Sequence, residues 1–388
     1  MLKYVFFIKI IMNNILIVVL IFSFLITGAY SKHKQEEQNF SGISYKAPGN
    51  ENYQSLEEEL VDNKLSKFVQ KQLDNRDKTG LVNYVLYEND KIRINKNNYN
   101  DKIRKNKNLL RSNSIGKSLI SYVVGHAICK GYIDSVNIKL NDWIVLNDTL
   151  YADNTLKQVL NMTSGDHKYI GEKNFGDDGL FKDEKNKQIN RRTVAESMLW
   201  FKGTKKEEEN SPYNYSAMST FVAINYAIYK TGKDYEKLLK EIFTDHVGVK
   251  DAVHFLKVSW SPKDIEKGSQ RYSFFATSDD YLRIAKTIMN DFHSDTCIGD
   301  YLRNTYENRI DKKKKEYPSN KGIAQYSKQY GGQIHFSKIG ESIVFGMDGY
   351  AGQQVVIDMT KKRIILVHTI DQHYNWKKIV LDVIKKGK

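Results

Sequence analysis

The distribution of β-rich runs constrains this chain more than any other feature. Leu81-Val82-Asn83-Tyr84-Val85-Leu86-Tyr87 reads as a strand, Glu88-Asn89-Asp90 as a turn, and Lys91-Ile92-Arg93-Ile94 as the returning strand of a hairpin. Four more short runs lie near the other end: Gln333 to Phe336, Glu341 to Gly346, Gln353 to Asp358 and Arg363 to His368, separated by glycine or lysine turns. Most of what lies between has helical spacing or no period. Strands early, helices in the middle and strands late predict an α+β domain. One antiparallel sheet is assembled from both chain ends, with a helical lobe over approximately residues 126–270.

The remaining segments fit that plan. Leu60, Leu65, Phe68, Val69 and Leu73 predict an amphipathic helix over 56–73. Val194 to Phe201 and Phe221 to Tyr229 predict helices, the second closed by Gly232. Phe274 to Met289 predicts another, capped by Thr277 or Ser278 ahead of Asp279 and Asp280, and Trp376 to Ile384 a closing helix. Residues 166–192 are charged and aperiodic, and a loop of that length in a compact domain suits a lid or substrate-binding segment. The domain proper is expected over 56–388, behind a polar tether at 32–55.

Residues 1–31 read as a targeting segment: Lys3 and Lys9, an apolar Ile15 to Ile26, then small residues from Thr27 to Ser31. Asn13 and Asn14 leave an apolar run shorter than the roughly 20 residues of a spanning helix. The expectation is export to a periplasmic or extracellular location, with an uncleaved N-terminal membrane anchor as the alternative. Oligomeric state is not legible.

A formal charge of +14 over 388 residues invites a nucleic-acid partner. The basic residues are scattered, however, with Lys312 to Lys315 the longest run and no nucleic-acid module beside them, so no nucleic-acid partner is expected. With only Cys129 and Cys297, no disulfide framework is expected, and Cys129 reads as core. The nine histidines lack ligand spacing, so no metal is expected; His126, in the apolar segment after Ser114, is the one to watch. No cofactor is implied. Gly116-Lys117-Ser118 resembles the end of a phosphate-binding loop, but position 111 is arginine where that loop needs glycine.

The chemistry points to Ser112-Asn113-Ser114-Ile115-Gly116-Lys117-Ser118. This polar turn enters an apolar segment in which Leu119, Tyr122, Val123 and His126 share a helix face. Ser114 can cap that helix, and Lys117 stands one turn on, placed to lower the cost of removing the serine proton.

Four pieces then follow in a meaningful order. Ser114-x-x-Lys117 precedes Leu156-x-x-Val159-Leu160-x-Met162-Thr163-Ser164-Gly165. Tyr215-Ser216 comes next, and last Gly349-Tyr350-Ala351-Gly352-Gln353 entering a strand. Over roughly residues 55–385 the chain resembles the serine β-lactamase-related superfamily: class C β-lactamases, D,D-peptidases, and esterases and amide hydrolases such as the 6-aminohexanoate-dimer hydrolases. The resemblance implies a β-lactamase/transpeptidase-like fold, with Ser114 as acylated nucleophile and Lys117 as the cation that depresses its pKa. It implies Tyr215 as general base and then acid, with Tyr213 a rival two residues away, and an oxyanion hole from the backbone N–H groups of Ser114 and Gln353. Tyr169, Tyr350 and Gly352 are candidate substrate contacts.

Two departures narrow the expectation. The Lys-Thr-Gly motif of β-lactamases and penicillin-binding enzymes is replaced by Tyr350-Ala351-Gly352, without its cation. The asparagine often found two residues after the tyrosine is Ala217. The expected activity is hydrolysis of a small-molecule ester or amide through a Ser114 acyl-enzyme. The alternatives are an inactive binding protein of the same fold, or a D,D-peptidase or β-lactamase proper.

Overall fold

The computed structural model describes residues 40, 43–169, 193–209, 211–258, 267–312 and 322–386. The 1–31 segment, most of 32–42, and the 170–192 part of the long loop lie outside them.

The expected sheet from both chain ends is present and has eight antiparallel strands in the order β3-β2-β12-β11-β10-β9-β8-β7. The early hairpin supplies β2 (Leu81–Glu88) and β3 (Lys91–Asn97), turned by Asn89 and Asp90 in the left-handed conformation that asparagine and aspartate tolerate. The C-terminal part supplies β7 (Ile310–Asp311), β8 (Gln329–Gly331), β9 (Ile334–Ile339), β10 (Ser342–Gly349), β11 (Gln353–Asp358) and β12 (Arg363–Thr369). β12 pairs with β2, Leu366 opposite Val85, and so joins the two ends.

Both faces of this sheet are covered. Val82, Val85, Tyr87, Phe345, Met347, Val355, Ile357, Ile364 and Leu366 point into the main core with the helical lobe. Their alternates Leu81, Tyr84, Leu86, Val344, Val356, Ile365 and Val367 meet helix α1 (Lys64–Asp74) and the C-terminal helical segment through Val69, Leu73, Trp376, Ile379 and Ile384. The period-two alternation sorts neighbouring residues onto opposite faces, and apolar cover on both sides fixes the register.

The lobe contains α2 (Ile115–Cys129), α3 (Leu156–Leu160), α4 (Val194–Met198) and α5 (Ala217–Thr231), followed by a π-helical turn at Lys240–His246. α6 (Ser278–Phe292) and α7 (Cys297–Glu307) lead back to the sheet. α2 is apolar nearly all round and is buried from Ile115 to Ala127, as a central helix must be.

Several expectations are corrected. α1 begins at Lys64, where Asn63 accepts from the Ser66 N–H; Leu60 lies outside the helix and is exposed. Phe274 to Ala276 is strand, since β6 runs Gln270–Ala276 and α6 starts after the Thr277 cap. β6 belongs to a second, four-stranded sheet, β1-β5-β6-β4, not anticipated because β4 (Leu110–Arg111) has two residues and β1 (Ser44–Ala47) four. β1 lies within the stretch read as a polar tether and pairs with β5 (Val253–Lys257). Cys129 is not plain core: it is disulfide-bonded to Cys297, 168 residues away, where the end of α2 meets the start of α7. The pairing is tertiary, so no local spacing announces it.

Candidate active site

β4 delivers the chain to the Ser112–Ser114 turn. Ser112 anchors that turn: its N–H donates to the Phe274 carbonyl and its Oγ accepts from the Phe274 N–H, both at 2.9 Å. Asn113 has φ 47°, a left-handed bend that sets Ser114 at the head of α2. A Cβ on Gly116 would lie 1.9 Å from the Tyr272 carbonyl oxygen, so only glycine lets the first turn pack this closely on β6. Ser114 occupies the N-cap position, but its side chain makes no capping hydrogen bond. The serines therefore separate by role. Ser112 holds β6, Ser118 donates to the Gln333 carbonyl at 2.7 Å, and Ser114 is left partly exposed, on the side of the Tyr215 phenol.

Tyr215 is held in place by the Met162–Asp166 segment. The Met162 carbonyl accepts from the Asn214 N–H at 2.9 Å, and its sulfur from the Ser216 N–H at 3.4 Å. The buried Asp166 carboxylate accepts from the hydroxyls of Ser216 (2.6 Å) and Tyr151 (2.7 Å), while Ser164 and Ser219 hydroxyls lie 3.0 Å apart. Ser216 also caps α5, accepting from the Ser219 N–H. The tyrosine thus sits on a clamped loop at a helix start, which fixes where its hydroxyl points.

Lys117 is buried. Its Nζ lies 3.9 Å from the Tyr272 ring centroid and 4.9 Å from that of Tyr215, and donates to Thr220 Oγ1 at 3.3 Å. Thr220 in turn donates to Gln333 Oε1 at 2.7 Å. Two aromatic faces and a hydroxyl make a pocket suited to an ammonium. Burial pushes the Tyr215 phenol well above its ordinary range, and the neighbouring Ser114 hydroxyl acts in the lowering direction. The Asp348 carboxyl is raised to about 7 by burial, against a backbone hydrogen bond from Ala324 and the Lys312 charge.

The end of β10 closes the other side. A Cβ on Gly349 would come within 2.9 Å of the Ser112 carbonyl oxygen, and Asn113 Nδ2 donates to the Tyr350 carbonyl at 3.2 Å. Tyr350–Gly352 is a tight turn with Ala351 at φ 66° and Gly352 at φ 89°; Gln353, buried, opens β11. The structure therefore gathers Ser114, Lys117 and Tyr215, with the Tyr350–Gln353 turn packed against the residues before the serine. Tyr213 packs its ring against that of Tyr330, with centroids 5.0 Å apart. Tyr169 is engaged elsewhere: its hydroxyl donates to the Lys205 carbonyl at 2.8 Å.

No protein-family model and no curated protein matches the sequence. Solved structures do match in shape. The "Putative 6-aminohexanoate-dimer hydrolase from Bacillus anthracis" superposes with a TM-score of 0.62 at 14% identity, over 89% of this chain and 91% of that one. A D-amino acid amidase from Ochrobactrum anthropi SV3 gives 0.57 at 14% identity, covering 84% and 99%. A penicillin-binding protein from Bacillus halodurans gives 0.54 at 11%, covering 81% and 98%. The chain has the serine β-lactamase/transpeptidase-like fold.

Within this β-lactamase-like fold, sequence reasoning missed the groups that position the trio. Tyr272 and Thr220 receive the Lys117 ammonium, Gln333 braces Thr220, and Asp166 ties Ser216 to Tyr151. Asp166 follows the Met162-Thr163-Ser164-Gly165 run directly, a signal available in sequence; Tyr272, in β6, and Gln333, in the turn between β8 and β9, come from distant segments and carried none. The histidines, read as scattered, are partly gathered as well: His126, His246 and Asp291 meet in space.

Proposed function

We propose that this protein is an exported serine hydrolase that cleaves a small-molecule ester or amide through a Ser114 acyl-enzyme. The observation that carries this reading is the placement of Ser114 at the head of α2 with the buried Lys117 one turn on, its Nζ 4.9 Å from the Tyr215 ring centroid. That is the pairing of nucleophile and oriented base that acyl transfer requires. Ser114 Oγ attacks the substrate carbonyl carbon as its proton passes to Tyr215, which must act as the phenolate, the form that the adjacent Lys117 charge favours. The carbonyl electron pair moves onto oxygen, which the N–H groups of Ser114 and Gln353 receive. Collapse expels the alcohol or amine, which takes the proton back from Tyr215. Water then repeats the sequence on the acyl-enzyme, releasing the acid and restoring Ser114.

Lys117 contributes its positive charge beside the phenol. It favours proton withdrawal by Tyr215 against the burial that opposes it. Tyr350 and Gly352 flank the oxyanion donor and are the proposed contacts for the substrate. With no lysine at position 350, the site lacks the cation that a β-lactam carboxylate would meet, so neutral esters and amides are the favoured class. The amidase and hydrolase names of the structural neighbours agree with that class. Export is supported by the charged-then-apolar character of residues 1–31 and by the Cys129–Cys297 disulfide, a bond that persists in oxidising compartments.

The test is hydrolysis of a p-nitrophenyl ester together with intact-mass analysis after a fluorophosphonate probe. Ser114→Ala is expected to lower kcat by on the order of 10⁴ and to abolish the adduct, with Tyr215→Phe severely impaired but folded. Undiminished turnover in Ser114→Ala removes the assignment. Absence of both turnover and adduct in the wild type favours a binding protein of the same fold.

A further inference from the structure

We infer that His126, His246 and Asp291 form a binding site for one divalent transition-metal ion of the zinc class, remote from the acyl-transfer site. One imidazole nitrogen from each histidine and one carboxylate oxygen from Asp291 all lie within 4.8 Å of one another. Neighbouring ligands in a tetrahedral zinc shell with bonds of about 2.0 Å lie roughly 3.3 Å apart. His246 Nε2 and the Asp291 oxygens are already 3.0 and 3.1 Å apart, so only the approach of His126 has to tighten.

Three features single this cluster out from incidental neighbours. His126 is buried, and its Nε2 has no hydrogen-bond partner among the described residues, an uncommon condition for a buried polar atom. Asp291 is also buried, and it accepts a hydrogen bond from the Tyr122 hydroxyl, the outer-sphere contact that orients a ligating carboxylate. His246 is exposed and ends the π-helical turn Lys240–His246, a wide turn that recurs at functional sites. Its exposure gives an ion a path in and leaves a coordination position open to water. Two imidazoles with one carboxylate suit zinc or a neighbouring transition ion better than the all-oxygen shells of calcium and magnesium.

The placement defines what the ion would do. His126 lies twelve residues after Ser114 on one continuous helix, roughly 18 Å at 1.5 Å per residue, too far to touch the reacting atoms. The three ligands come from the last turn of α2, the π-helical turn and the last turn of α6, so a bound ion clasps three helical elements where α2 ends. Its role is to stabilise that junction, beside the disulfide that joins α2 to α7.

The experiment is titration calorimetry of chelator-treated full-length protein with Zn²⁺, with thermal unfolding and the visible spectrum of the Co²⁺ form as second readouts. One equivalent is expected to bind, to raise Tm, and to give the d–d bands of a four- or five-coordinate cobalt centre. His246→Ala removes an exposed side chain and leaves the fold intact by far-UV circular dichroism. It is expected to weaken Zn²⁺ by more than 100-fold, because loss even of an outer-sphere partner costs about 10- to 100-fold. Tyr122→Phe is expected to weaken it within that smaller range. No saturable Zn²⁺ binding by the wild type overturns the proposal, as does equal affinity in His246→Ala, which would place the ion elsewhere. Ester hydrolysis is read in parallel: its loss in Ser114→Ala with Zn²⁺ binding retained keeps the two sites separate.

Discussion

Breaking the Cys129–Cys297 link tests the most consequential contact that the sequence did not reveal. The two cysteines are 168 residues apart, and a cross-link of that span restricts the unfolded chain far more than the folded one. In the chain-entropy treatment a loop of 168 residues corresponds to about 5 kcal/mol at 25 °C, comparable with the whole stability of many domains. Cys129 is only half-buried and Cys297 is exposed, so Cys129→Ala/Cys297→Ala removes little apolar burial and the effect isolates the cross-link. Urea unfolding of the oxidised protein, the dithiothreitol-reduced protein and the double variant is the assay. The reduced and substituted forms are expected to share a midpoint well below that of the oxidised form, by some 3–5 kcal/mol of unfolding free energy. Their kcat/KM is expected to be unchanged while they remain folded, since the bond lies at the opposite end of α2 from Ser114. Coincident midpoints for oxidised and reduced protein, or two free thiols in protein purified without reductant, would refute the reasoning.

Two other contacts in the fold carry expected outcomes. His368, in β12, is buried with neither ring nitrogen hydrogen-bonded among the described residues, and burial lowers its pKa to about 3. The unfolded chain takes up a proton below pH 6.5 that the folded protein refuses, so stability falls as pH drops, by about 2 kcal/mol at pH 5 for this group. His368→Leu is expected to flatten unfolding free energy between pH 7 and 5, and an unchanged slope would show that the imidazole is not shielded. Gly349→Ala puts a methyl 2.9 Å from the Ser112 carbonyl oxygen and is expected to push the β10 end from the Ser112–Ser114 turn. It should cost about 1–3 kcal/mol of stability by overpacking and at least about tenfold in kcat/KM, while wild-type kinetics would show the turn is not held by that contact.

Much of this was legible because the informative patterns are local. β2, β3, β10, β11 and β12 are each long enough for period-two alternation or a β-branched run to register, and Asn89-Asp90 marks its own turn. Ser114, Lys117 and Tyr215 are placed by motifs spanning a few residues each. What was illegible depends on contacts between distant segments. β4 is a strand only because β6 lies beside it, and Phe274 was assigned to the wrong element because its apolar run continues into the helix capped by Thr277. The disulfide, the Tyr272 face over Lys117 and the meeting of His126 with His246 arise when α2 docks, and sequence spacing carries no trace of docking.

The backbone itself marks where that docking is most demanding. Ten non-glycine residues among those described have positive φ, and they fall into two groups. Asn89, Asp90, Lys107, Asn108, Asp148 and Lys362 are exposed turn residues, where such a conformation costs little. Asn113, Met162, Gln333 and Ala351 are buried, and all four belong to the same site. Asn113 precedes the serine, and Met162 holds both residues flanking Tyr215. Gln333 braces the Thr220 that receives Lys117, and Ala351 forms the turn whose first carbonyl binds Asn113. Conformations of this kind cost on the order of 1–3 kcal/mol each and persist only where the surroundings over-determine them. Here the surroundings are α2, buried from Ile115 to Ala127, and the sheet it packs against. Under the proposed acyl-enzyme function each of those bends has a use, since Ser114 would have to meet a tyrosine, a lysine and two backbone donors at fixed angles.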